Sequence, residues 1–137
     1  MQADYASPVK PKILIVDDQA DIRRLVRFAL EDAGFALFEA PNGQLALQLA
    51  RALRPDLIVL DQVMPGDVDG LDVLQALQAE SGLSGTLTLM LTSRQEPRDK
   101  QTALAAGANY FLTKPFSPAR LLEVVMVMLK SRDTAPH

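Results

Sequence analysis

Three aspartates, a threonine and a lysine stand where runs of aliphatic residues end in this chain. Asp17 and Asp18 follow Ile13-Leu14-Ile15-Val16, Asp61 follows Leu57-Ile58-Val59-Leu60, Thr92 closes Leu89-Met90-Leu91, and Lys114 stands just after Phe111-Leu112. Carboxylates crowded together repel, and one is driven toward its neutral form unless a cation intervenes. Mg2+ prefers a few carboxylate oxygens together with water and phosphate oxygens, so it suits such a group better than a soft metal would. Taken singly, each residue has an ordinary reading. Acids open turns and cap helices, a threonine caps, and a lysine beside a proline is a loop lysine. What favours a site is that four run ends supply compatible groups.

Such a group needs elements that bring the run ends to one edge. Short apolar runs alternate along the chain with longer segments of helical periodicity, the pattern of repeated βα units. Strands are predicted over Lys12 to Val16, Phe35 to Glu39, Asp56 to Leu60, Leu87 to Leu91 and Asn109 to Leu112. Helices are predicted over Ala20 to Ala33, Gly43 to Leu53, Leu71 to Ala79, Pro97 to Ala106 and Pro118 to Lys130. Gly34 and Gly107 are helix stops, Asn42 is a cap, and Ser117-Pro118 reads as a cap followed by a first turn. Strands that are apolar on both faces belong in a parallel sheet covered by helices on both sides, so the fold class is α/β in three layers. In such sheets ligands gather beyond the carboxyl ends of the strands, where the acids, Thr92 and Lys114 fall.

Composition narrows the function further. A chain of 137 residues with 48% hydrophobic and 23% charged residues fits one globular domain. The expected division is a tail over 1–11, a domain over 12–130 and a frayed tail over 131–137. Cysteine is absent and the single histidine is His137, which removes thiol chemistry, histidine catalysis and a zinc site. A net charge of −3 gives no basic surface, so direct nucleic-acid binding is not expected. No run approaches the roughly 20 apolar residues of a membrane span, and no secretory signal is visible, so no membrane contact and a cytoplasmic location are expected.

With these residues in view the chain resembles the response-regulator receiver family from Lys12 to Lys130. The resemblance rests on ILIVDD at Ile13 to Asp18, LIVLD at Leu57 to Asp61 with the following MP and DG, LMLTS at Leu89 to Ser93, and GANYFLTKPF at Gly107 to Phe116. It implies a flavodoxin-like sheet of five parallel strands in the order 2-1-3-4-5. It also implies that Asp61 accepts a phosphoryl group and that Asp17 and Asp18 hold Mg2+ or Mn2+, with Asp61 and the Val63 carbonyl completing the site. Thr92 and Lys114 would contact the phosphoryl group. The protein would be a timed switch rather than an enzyme, supplying position and charge for transfer onto Asp61. By the same resemblance Thr92 couples to Phe111, and Lys114-Pro115 is a cis peptide.

The implied phosphodonor is a histidine kinase or a histidine phosphotransfer protein. Its specificity surface falls on the first helix around Ile22, Arg23, Leu25, Val26 and Phe28. The implied readout is a target protein, or a second copy, docking on the surface of the fourth helix, fifth strand and fifth helix. The last helix carries Leu121, Leu122, Val125, Met126 and Leu129 at helical spacing, with Val124, Val127 and Met128 in excess. Two departures stand out. The stretch Gly66-Asp67-Val68-Asp69-Gly70 is longer by about one residue than the family's usual loop, and Val63 and Arg94 occupy positions that tune dephosphorylation, leaving little to hold a water. Slow phosphate loss is expected. Rival readings are an aspartate phosphatase, which lacks its second acid because Val63 stands there, a binding-only module, and the receiver part of a longer regulator.

Overall fold

The apolar run before Asp61 lies at the centre of the structure, and its burial on both faces follows from that place. The computed structural model describes residues 10–92 and 97–134. In chain order the elements are β1 (Lys12–Val16), α1 (Ala20–Leu30), β2 (Ala36–Ala40), α2 (Gly43–Leu53), β3 (Leu57–Asp61), α3 (Gly70–Ala79), β4 (Leu87–Thr92), α4 (Pro97–Ala105), β5 (Tyr110–Thr113) and α5 (Pro118–Thr134). The strands form one parallel sheet ordered β2-β1-β3-β4-β5, the order the resemblance implies.

Alternation along each strand divides the core in two. Leu14, Val16, Ile58, Leu60 and Met90 face α2 and α3, while Ile13, Ile15, Leu57, Val59, Leu89 and Leu91 face α1 and α5. Each such side chain, fully buried, contributes about 1.5–3 kcal/mol relative to exposure. Register then sets the site: Val16 lies beside Leu60, and Asp61 lies beside Leu91. The residues that follow Val16, end β3 and close β4 therefore share one edge of the sheet.

Local signals fix the ends of the helices. Asn42 accepts the Leu45 amide at 2.8 Å, and Asp69 and Asp72 form a reciprocal capping box that starts α3. Ser117 Oγ accepts the Arg120 amide at 3.0 Å, as its cap position predicts. Gly34 stops the α1 segment in the left-handed conformation, at φ 84°.

Several expected bounds move. β2, β3 and β5 each sit one residue later than predicted, so that Asp61 is itself the last residue of β3. α1 ends at Leu30 and tightens into a 3-10 turn over Glu31–Ala33. α5 continues past Lys130 to Thr134, where a frayed tail was expected, and Arg132 hydrogen-bonds Asp56 at 3.0 Å across the foot of the sheet. Its buried face is Leu121, Val124, Val125, Met128 and Leu129, leaving Met126 and Val127 outside. Val124 and Met128 therefore belong to the core rather than to a surface excess, and Met126 to the surface.

Gly70 permits the close approach that the site needs. A Cβ there would collide with the Asp61 carbonyl oxygen and lie 2.7 Å from Gln62 Cα, because α3 starts against the end of β3. Gly70→Ala is expected to destabilise the protein by about 3 kcal/mol in urea unfolding. Gly85→Ala, where a Cβ meets nothing within 4 Å, is the control and should change stability by less than about 1 kcal/mol.

Candidate phosphoryl and metal site

Where β1, β3 and β5 end, Asp18, Gln19, Asp61, Val63, Met64, Pro65 and Lys114 line an open cleft with Asp17 beneath it. One carboxylate oxygen from each of Asp17, Asp18 and Asp61 lies within 4.8 Å of the others. Asp17 is fully buried, and both its carboxylate oxygens are engaged: Oδ1 accepts the Gln19 amide and Oδ2 accepts Lys114 Nζ, each at 2.9 Å. Lys114 Nζ also stands 3.4 Å from Asp61 Oδ1, which accepts the Val63 amide at 3.3 Å. Asp18 is exposed, and its carboxylate has no partner among the described residues.

The backbone delivers these groups. The Asp17 amide continues the β1–β2 ladder by donating to the Ala40 carbonyl at 3.2 Å, and the Lys114 amide donates to the Thr92 carbonyl at 2.6 Å. The Lys114-Pro115 peptide is cis, as the resemblance implies. Thr92 is buried at the end of β4, paired in register with Thr113. Phe111 is half-buried against the core on the α2–α3 side, and its ring stacks on Tyr110 at 6.2 Å between centroids. The phenol on this strand belongs to Tyr110, whose hydroxyl accepts from Arg120 at 3.3 Å on the surface.

Electrostatics mark Asp61. Burial and then the negative charge of Asp17 push its carboxyl up from an ordinary 3.8 to about 6, against the opposing pull of Lys114 and the Val63 amide. One ammonium group thus does not offset the burial of Asp61 and the charge of Asp17 beside it. Hard oxygen donors, an exposed Asp18 and this uncompensated charge fit a divalent cation such as Mg2+. Asp17, Asp18 and Asp61 are the side chains that could hold it, and Val63 lines the same cleft.

The side chains of the lengthened loop point away from the acid group. Val68 lies against the start of α2, where a Cβ on Gly43 would be 2.7 Å from Val68 Cγ1, and Gly66 turns at φ 100°. Asp67 lines a separate cleft with Asn42, Gly43 and Gln44, outside the three-acid group. Arg94 lies outside the described residues. On α1, Val26 is buried in the core and cannot meet a partner, whereas Phe28 is 66% exposed. Sequence reasoning missed Gln19, whose amide shapes the Asp17 turn, and the part that Arg23 plays at Asp17. The signal for Arg23 was its place in the first turn of α1, directly after the acid pair.

Comparisons with known proteins identify the family. The family described as "Response regulator receiver domain" matches residues 13–126, and the chain belongs to it. Among curated relatives, the DNA-binding response regulator MtrA of Mycobacterium tuberculosis is 35% identical over 93% of this chain and 54% of its own length. The alkaline phosphatase synthesis transcriptional regulatory protein PhoP of Bacillus subtilis is 38% identical over 90% of this chain and 50% of its own. The chain thus spans about half the length of these relatives. Among solved structures, chemotaxis response regulator CheY4 of Vibrio cholerae superposes with a TM-score of 0.81 at 37% identity, covering 87% of this chain and 98% of that one. The signal receiver domain of a signal transduction histidine kinase from Syntrophus aciditrophicus gives 0.82 at 30%, covering 92% and 95%. Among the described residues no helix is long and apolar enough to cross a membrane.

The raised Asp61 value has a consequence for stability. Its folded pKa exceeds its unfolded one, so protonation favours the fold. That contribution is complete below about pH 3.8 and is lost as pH rises through about 6. Asp61→Asn is therefore expected to stabilise the metal-free protein by about 1–2 kcal/mol at pH 7.5 and by much less at pH 4, read from urea unfolding in a chelating buffer.

Proposed function

We propose that this receiver domain accepts a phosphoryl group on Asp61 from a phosphohistidine protein and then changes what it binds. The observation that carries the reading is the pairing of a buried, charge-stressed Asp61 with Lys114 Nζ, 3.4 Å away, beside Asp18, an acid without a partner among the described residues. An ionised Asp61 oxygen attacks phosphorus and forms the P–O bond while the donor's P–N bond breaks. Lys114 holds a phosphoryl oxygen once it lets go of Asp61, and Asp17 keeps the ammonium in place. A divalent ion bound by Asp17, Asp18, Asp61 and the Val63 carbonyl would offset charge on the moving oxygens. Thr92 closes over the phosphoryl group, and the change reaches Phe111 through the β4–β5 pairing. The resulting acyl phosphate is hydrolysed at the same site, so the signal times itself out.

The donor, a histidine kinase or phosphotransfer protein, docks on the exposed part of α1 around Phe28. The readout surface is α4-β5-α5, where Leu104, Tyr110, Met126 and Val127 are exposed. MtrA is a DNA-binding regulator about twice as long as this stretch. For this chain the net charge of −3 favours a protein target, or a second copy, over nucleic acid.

Incubation with acetyl phosphate and Mg2+, read by intact mass, is expected to add one phosphate to the wild type and none to Asp61→Asn, with chelation abolishing the gain. No gain in a folded wild type would leave a binding-only module. Because Val63 is apolar and 52% exposed beside Asp61, it cannot hold an attacking water. Phosphate loss after donor removal should therefore take minutes or longer, and a half-life of seconds in Mg2+ would contradict this.

A further inference from the structure

Arg23 is built into the acid site from behind. Its NH1 donates to the Asp17 carbonyl oxygen at 2.8 Å and its Nε to Glu39 Oε1 at 3.1 Å, with the side chain only 19% exposed. Glu39 stands on β2, and its second oxygen accepts Arg27 Nε at 2.6 Å. The Arg27 guanidinium, helped by Arg23, holds the Glu39 carboxyl below its usual range, so Glu39 stays charged and keeps its grip. Asp17 is thereby held at every polar atom: its amide by Ala40, its carboxylate by Gln19 and Lys114, its carbonyl by Arg23. That carbonyl belongs to the Asp17–Asp18 peptide, and the plane of this peptide sets where the Asp18 carboxylate points.

We propose that Arg23 is a positioning residue for a divalent cation at the acid group: by clamping the Asp17–Asp18 peptide to Glu39, it aims Asp18 at the gap shared with Asp61. This rests on reading the acid group as a metal site. Groups behind metal ligands commonly alter affinity ten- to a hundredfold when removed. The sign of the effect separates positioning from charge. Arg23 is itself a cation, so deleting its charge would by Coulomb's law tighten the binding of another cation, whereas releasing the peptide weakens it.

The test is calorimetric titration of Mg2+ into wild type, Arg23→Gln and Arg23→Lys at neutral pH, with thermal unfolding of each variant to confirm the fold. The expected result is a Kd raised about tenfold in Arg23→Gln. It should stay raised at least threefold or so in Arg23→Lys, because an ammonium group cannot reproduce the guanidinium's planar grip on carbonyl and carboxylate together. Unchanged or tighter binding in either folded variant would overturn the positioning role while leaving the metal site standing. If Arg23→Gln does not fold, the lysine variant decides alone. A wild type that binds no Mg2+ at millimolar concentration would overturn the metal reading and this inference with it.

Discussion

The structure depends on holding two buried carboxylates, Asp17 and Asp61, close to one ammonium group. Lys114 Nζ stands 2.9 Å from one and 3.4 Å from the other. Asp17 wins the closer contact, and burial, together with the Asp17 charge, raises the Asp61 carboxyl to about 6. Such an arrangement lowers stability, and under the proposed function a group that repels its neighbours would be the one to gain most from a cation or from a phosphoryl group that draws Lys114 away. The rest of the molecule reads as the means of enforcing that stress.

Enforcement comes from the sheet. β1 and β3 are central strands buried on both faces, and their apolar side chains cannot slip in register without turning each face inside out. Helix α3 closes in directly behind Asp61 because Gly70 has no Cβ to oppose it. At the far edge, the bond from the Lys114 amide to the Thr92 carbonyl ties the lysine's position to the end of β4. Under the proposed switching, a shift of the Thr92 backbone would be felt at Lys114 and, through the β4–β5 pairing, at Phe111. That mechanical link would carry a change at the site toward the surface made by Tyr110, Met126 and Val127.

The foot of the sheet is held by a different network. Asp56 accepts from the Lys12 amide at 2.7 Å and from Arg132 at 3.0 Å, so the start of β1, the approach to β3 and the end of α5 share one carboxylate. This accounts for α5 continuing to Thr134: a helix end that would fray in isolation is anchored by a partly buried ion pair. The two poles divide the work, one holding charge in tension and the other holding chain ends in place.

Much of this was legible in the residues. Runs apolar on both faces call for a covered parallel sheet, and acids, hydroxyl and lysine standing where those runs end define the edge on which chemistry gathers, because chain direction alone sends them there. Asn42, Ser117 and Gly34 announced their turns through side-chain and backbone chemistry that acts within a few residues. What sequence could not decide were contacts between distant elements. Val26 and Met126 are apolar residues on helices, and only packing settled that the first is core and the second surface. The lengthened loop looked able to reshape the acid site, but Val68 found its place against Gly43, so Asp67 went elsewhere. Most telling is Arg23, an ordinary helix arginine in sequence, which meets the Asp17 carbonyl and Glu39 only because β2 pairs beside β1. Local chemistry identifies the reacting groups, and the tertiary structure alone fixes which neighbours hold them and how strongly their charges oppose.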